Sequence, residues 1–144
     1  MGIKTDLHSA IQTEFCWFED EFAKILQSDN QLLNDVLDYI HNKRGKQLRP
    51  ILVLLSAAIC KGITEKTIKS AASLELMHTA SLIHDDVVDN SPTRRGDNAV
   101  HEQWSNKIAI LVGDYMLSKA IGLLSAVRNN TILNIVSEMT AALT

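Results

Sequence analysis

Between Glu65 and Asp89 the chain runs for 25 residues without a glycine or a proline. A helix over that stretch is about 38 Å long at 1.5 Å per residue. From Ala71 to Val88 it is apolar or small on most sides, so it has to be buried between other elements. The rest of the chain supplies neighbours of the same period. Ile3, Leu7, Ile11, Phe15, Phe18, Phe22 and Ile25 recur at steps of three and four, and Leu33, Val36, Leu37 and Ile40 share one face after the Ser28-Asp29-Asn30 break. A basic loop, Lys43 to Gln47, follows. Pro50 suits the first turn of a third helix, which runs to about Lys61 and stops at Gly62. Thr64 caps the long central helix, Asn90-Ser91-Pro92 ends it, and a loop continues to about Val100. A second long apolar helix spans Asn106 to Val127, Asn129-Asn130 break it, and a last one starts near Thr131. No segment alternates with period two, and there is no repeat or linker. The expected fold class is all-α, a helical bundle.

Bulk properties narrow the function. The 144 residues suffice for one domain, and 46% apolar against 5% aromatic residues implies an aliphatic core. A net charge of −3 gives no general attraction to nucleic acid, so any anion site must be local. Cys16 and Cys60 have no metal-ligand spacing and read as reduced thiols. The N-terminal MGIKTDLHS is not laid out as a signal peptide, and Asp6 spoils the myristoylation pattern. The longest apolar run, Ile51 to Cys60, is about half of a bilayer span. The expectation is a cytoplasmic protein without a transmembrane segment. At the other end Thr144 falls inside a helical pattern, as if the chain were cut there.

The chemistry concentrates in LIHDDVVDNSPTRRG, Leu82 to Gly96. Asp85 and Asp89 lie one helical turn apart with Asp86 between them, so three carboxylates gather where the helix dipole is already negative. Something positive must compensate, either Arg94 and Arg95 or a hard divalent cation, which takes carboxylates together with phosphate oxygens. His84-Asp85 resembles the metal-binding pair of phosphohydrolases, but the further histidines that chemistry needs are missing. A second basic element, Gly45-Lys46-Gln47-Leu48-Arg49-Pro50, offers a point charge and a bidentate fork just before a helix N-terminus, a combination suited to phosphate. His78, two turns before Asp85, suits a core histidine bonded to a carbonyl and, beside a phosphate, a donor.

RGKQLRP, LELMHTASLIHDDVVDNSPTRRG and NKIAILVGDYMLSKA together resemble the trans-isoprenyl (polyprenyl) diphosphate synthases, over about Lys43 to Ala120. The resemblance implies the all-α isoprenoid synthase bundle and, generally, a homodimer. It implies Mg²⁺ on Asp85, Asp86 and Asp89 bridging an allylic diphosphate that Arg94 also holds. Lys46, Arg49, His78 and Arg95 would bind isopentenyl diphosphate, the partner in a head-to-tail condensation. Small residues at Ala80 and Ser81, one turn before the acids on the expected substrate side, imply an open cavity and a medium or long product. Met77 would trim its depth or simply fill the core.

The sequence departs from the family at Arg44, where glycine is common, at Gln47, where a basic residue is, and at Asp97-Asn98, which replaces Lys-Pro. The family's second Asp-rich motif and the lysine before it are missing, so residues 1–144 correspond to the N-terminal half of a synthase domain and by themselves are expected to be inactive. A class I terpene cyclase shares the acidic motif, but it binds one diphosphate and does not need the Lys46/Arg49 element. A non-catalytic partner subunit of a heteromeric synthase is the other alternative. A plain helical interaction module accounts for none of the three motifs.

Overall fold

The computed structural model describes residues 9–142. Ile3 and Leu7 of the first stripe, nearly all of MGIKTDLHS, and the chain end at Leu143 and Thr144 lie outside the described residues. The rest forms α1 (Gln12–Ile25), α2 (Gln31–Asn42), α3 (Leu48–Cys60), α4 (Glu65–Val88), β1 (Thr93–Arg94), β2 (Asp97–Asn98), α5 (Val100–Gln103), α6 (Asn106–Val127) and α7 (Asn130–Ala141).

The helix boundaries follow local chemistry. Asn30 caps α2 by accepting the Leu33 N–H at 3.1 Å. Gly62 takes φ +93° just beyond α3. Thr64 and Thr67 satisfy each other's backbone N–H in a capping box at the start of α4. At its other end Asn90 turns left-handed at φ +50°. The Ser91 N–H then bonds the Asp86 carbonyl at 2.9 Å and the Asn90 N–H bonds that of Val87. This is a Schellman stop, and it makes Asp89 the cap rather than the last helical residue.

The core is the packing of α4 along α6, with α1 laid across α4 and α3. Both central helices present small residues at the seam, Ala71, Ala72 and Ala80 on one and Ala109, Gly113 and Ala120 on the other, all buried. The Ser73 hydroxyl donates to the Ala120 carbonyl across it at 3.0 Å. At Gly113 a Cβ would lie 3.0 Å from Cε1 of His84 and closer still to Nε2 and Cδ2, so this glycine lets the His84 ring in. Larger side chains, Phe18, Phe22, Leu54, Ile68, Leu76 and Met116, fill the remainder, each contributing about 1.5–3 kcal/mol by leaving water.

Two expectations need correction. The stretch after Pro92 is not all loop: Thr93 pairs with Asn98 and Arg94 with Asp97 in an antiparallel hairpin, and Val100–Gln103 adds a helical turn. Two-residue strands are too short to show alternation. The hairpin rests instead on Arg95 and Gly96, whose φ values of +56° and +88° are what a tight two-residue hairpin turn requires. Secondly, the longest uninterrupted apolar run is too short to span a bilayer, whereas α6, the long apolar helix expected over Asn106 to Val127, is by length and composition apolar enough to cross one. In this fold its stripe of Ala109, Val112, Met116, Ala120 and Leu124 is buried in the core.

Candidate active site

The three aspartates sit together at the end of α4 but do not converge. Asp85 and Asp89 face water one turn apart, and among the described residues no cation pairs with either. Asp86, about 100° further round the helix than Asp85, points inward and is 4% exposed. Arg94 grips it with two bonds of 2.6 Å, from Nε to Oδ2 and from Nη2 to Oδ1. The compensation expected from both arginines therefore comes from Arg94 alone. Among the described residues no three metal-ligating side chains come together. The donor chemistry nonetheless fits a hard cation. Two water-facing carboxylates one turn apart are what Mg²⁺ uses beside phosphate oxygens, and Asp86 can join once it releases Arg94. His84 takes no part, since its Nε2 lies 3.2 Å from the Ile110 carbonyl and 3.5 Å from Asp114 on α6.

The residues assigned to a second anion do come together. Lys46, Arg49, His78 and Arg95 line one cleft of about 400 Å³. Each reaches it from a different element: Lys46 from the loop before α3, Arg49 from that helix's first turn, His78 from α4, and Arg95 from the hairpin. Gln47 and Leu48 are also in its wall, so the cleft lies at the start of α3, the end of a helix that favours an anion. Arg95 arrives by passing over Gly45, where a Cβ would lie 2.7 Å from Nη2 and closer to Cζ and Nη1. Burial holds the His78 pKa below its ordinary 6.5. Arg49, Arg95 and Arg94 push it the same way, against Asp85. Its imidazole is therefore neutral near pH 7 and donates from one nitrogen.

A smaller cleft of about 80 Å³ adjoins it, lined by Asp86 and Arg94 among others, and sharing Gly45, Glu75, His78 and Arg95 with the first. Glu75 and His78, one turn apart on α4, thus face both. Glu75 escaped the sequence reading. It is 6% exposed, its carboxylate has no hydrogen-bond partner among the described residues, and burial raises its pKa despite Arg49, Arg44 and Arg95 nearby. The available signal was a lone carboxylate in the apolar stretch that runs from Ala71 to His84, before the acidic motif.

The departures from the family pattern also find partners. Asp97 pairs with Lys43, and the Asn98 carbonyl accepts from the Tyr39 hydroxyl at 2.7 Å, which ties the hairpin to α2. The three candidate chain-length residues separate. Ala80 is 0% exposed, inside the core rather than on an open wall, and Ser81 spends its hydroxyl on the His78 carbonyl at 2.8 Å. Met77 instead lines an apolar cleft of about 490 Å³ with Ile121, Leu124, Leu133 and Val136.

The chain is similar to known proteins in sequence and in fold. The profile of the family described as Polyprenyl synthetase matches residues 30–144. A decaprenyl-diphosphate synthase of Dictyostelium discoideum is 39% identical over 113 residues, which is 78% of this chain and 25% of that protein. Heptaprenyl diphosphate synthase component 2 of Geobacillus stearothermophilus is 33% identical over 115 residues, 80% of this chain and 36% of that one. The crystal structure of a polyprenyl synthase from Caulobacter crescentus CB15, complexed with calcium and isoprenyl diphosphate, superposes with TM-score 0.90 at 28% identity, covering 97% of this chain and 43% of the other. The chain thus spans well under half the length of these relatives, with the all-α fold of isoprenoid synthases. It belongs to the polyprenyl synthetase family.

Proposed function

We propose that this chain carries the diphosphate-binding part of a polyprenyl diphosphate synthase, which joins isopentenyl diphosphate head-to-tail to an allylic diphosphate. The observation that carries the reading is the convergence of Lys46, Arg49, His78 and Arg95 on one cleft, with Arg94 and Asp86 in the adjoining one. Two anion sites side by side suit two diphosphate substrates, and this favours the synthase over a cyclase. Lys46 provides a mobile point charge and the two guanidinium groups provide bidentate forks. Neutral His78 adds an N–H donor without competing for a proton. Arg94, once free of Asp86, turns to the allylic diphosphate and stabilises charge as it departs. Asp85 and Asp89, and Asp86 when released, would hold Mg²⁺, which would supply positive charge that makes diphosphate a better leaving group. Leu82 and Ile83, which line the smaller cleft, would help to keep water from the reacting carbons. A medium or long product is in keeping with the deca- and heptaprenyl names of the relatives and with the apolar cleft beside Met77.

The first assay is incorporation of labelled isopentenyl diphosphate by the intact protein, given an allylic starter and Mg²⁺. Incorporation that stops on chelation supports the synthase, with homodimer assembly read from the mass in solution. The resemblance to a protein named as a component favours one other reading, a subunit that works only with a partner. Diphosphate binding without incorporation in the intact protein would overturn the first reading in favour of the second.

A further inference from the structure

We propose that Glu19, on α1 and outside both clefts, is a positioning residue for the anion-binding loop, acting through Arg44 and Gln47. The proposal rests on the reading of that loop as a diphosphate site. One carboxylate bridges both flanks of Gly45-Lys46. Glu19 Oε2 accepts from Arg44 Nη2 at 2.6 Å, and Oε1 accepts from Gln47 Nε2 at 2.7 Å and more weakly from Arg44 Nη1 at 3.4 Å.

Arg44 is committed to this role. Its side chain is 9% exposed, its Nε donates to the His41 carbonyl at 3.2 Å, and its guanidinium lies 4.7 Å from the Phe22 ring centroid. In this arrangement its charge goes to Glu19 and not to a soluble anion. Gln47 holds a left-handed φ of +47°, an uncommon conformation for a residue with a side chain, and its carbonyl accepts the first helical N–H of α3 from Ile51 at 3.3 Å. The bond from Glu19 therefore steadies the strained residue that sets where Lys46 and Arg49 stand. Arg44 and Gln47 are also two of the positions at which the sequence departs from its family. The structure pairs both departures with the same carboxylate.

The test uses the intact protein with isopentenyl diphosphate as the probe, alongside thermal unfolding. Glu19→Ala should raise the KM for isopentenyl diphosphate about five- to twenty-fold, as loss of charge-assisted bonds to a positioning group would. Turnover at saturation and the KM for the allylic substrate should change less than about two-fold. Glu19→Asp should recover part of the loss. Gln47→Asn tolerates the left-handed backbone but shortens the reach, so it should raise the same KM about three-fold. It also serves if Glu19→Ala fails to fold. A folded Glu19→Ala or Gln47→Asn protein with unchanged KM overturns the proposal, as does an equal loss for both substrates. Failure of the underlying site is recognised separately, by a Lys46→Ala/Arg49→Ala protein that keeps the wild-type KM.

Discussion

Replacing Gly45 by alanine is expected to separate affinity from stability. Gly45 is not in the left-handed region, so its backbone accepts a side chain without strain. The new methyl would stand 2.7 Å from Arg95 Nη2 and nearer to Nη1 and Cζ, where ordinary contact begins at 3.4 Å. The guanidinium is the free end of a long side chain and has to draw back by more than about 1 Å. Nothing in the core moves, and the unfolded chain loses some freedom, so stability should stay level or rise by about 0.4–1 kcal/mol. The anion cleft, however, loses one charged donor, worth about 1.5–3 kcal/mol, which is about ten- to hundred-fold in affinity. Titration calorimetry with isopentenyl diphosphate and thermal unfolding of the same intact variant measure both quantities. Unchanged affinity in a protein that unfolds at the wild-type temperature would refute the placement of Arg95 over Gly45 as the source of binding.

Asp86→Asn should destabilise the protein by about 1–2 kcal/mol, less than the full cost of breaking a buried pair because Arg94 keeps access to water; equal midpoints in urea would contradict the pairing. Glu75 titrates in the opposite sense to an ion-paired carboxylate. Its folded pKa lies above the ordinary 4.5, mainly through burial, so its contribution is fully present below pH 4.5 and is lost as pH rises through the folded value. Glu75→Gln should therefore gain on wild type in thermal midpoint between pH 4 and pH 7, and a difference that does not change with pH would remove burial as the cause. Ala80→Phe, which the sequence reading expects to shorten the product, should instead cost about 1–3 kcal/mol or more by overpacking a full core. Met77→Phe, on the wall of the apolar cleft, should shorten the product while leaving the midpoint close to wild type; chromatography of the products decides between the two positions.

Much of this protein is written at short range. Helix positions follow from apolar steps of three and four, and their ends from Asn30, Gly62, Thr64 and Asn90, because periodicity and capping act within a turn or two of chain. Lys46, Arg49, His78, Arg94 and Arg95 could also be singled out as candidates, the first two by side-chain chemistry before a helix start and the others by the resemblance, whatever the packing. Which of them meet was not. That His78 and Arg95 share a cleft with Lys46, that Arg94 is taken up by Asp86, and that Ala80 faces the core while Met77 faces a cleft all depend on how α4 is rotated against its neighbours. A rotation of one residue, 100°, exchanges inside for outside. Glu75 and Glu19 show the same limit from the other side. One is a carboxylate whose burial only the assembled helices create. The other lies 25 residues before the arginine it holds, a separation that no helical period or capping pattern spans and that only tertiary packing closes.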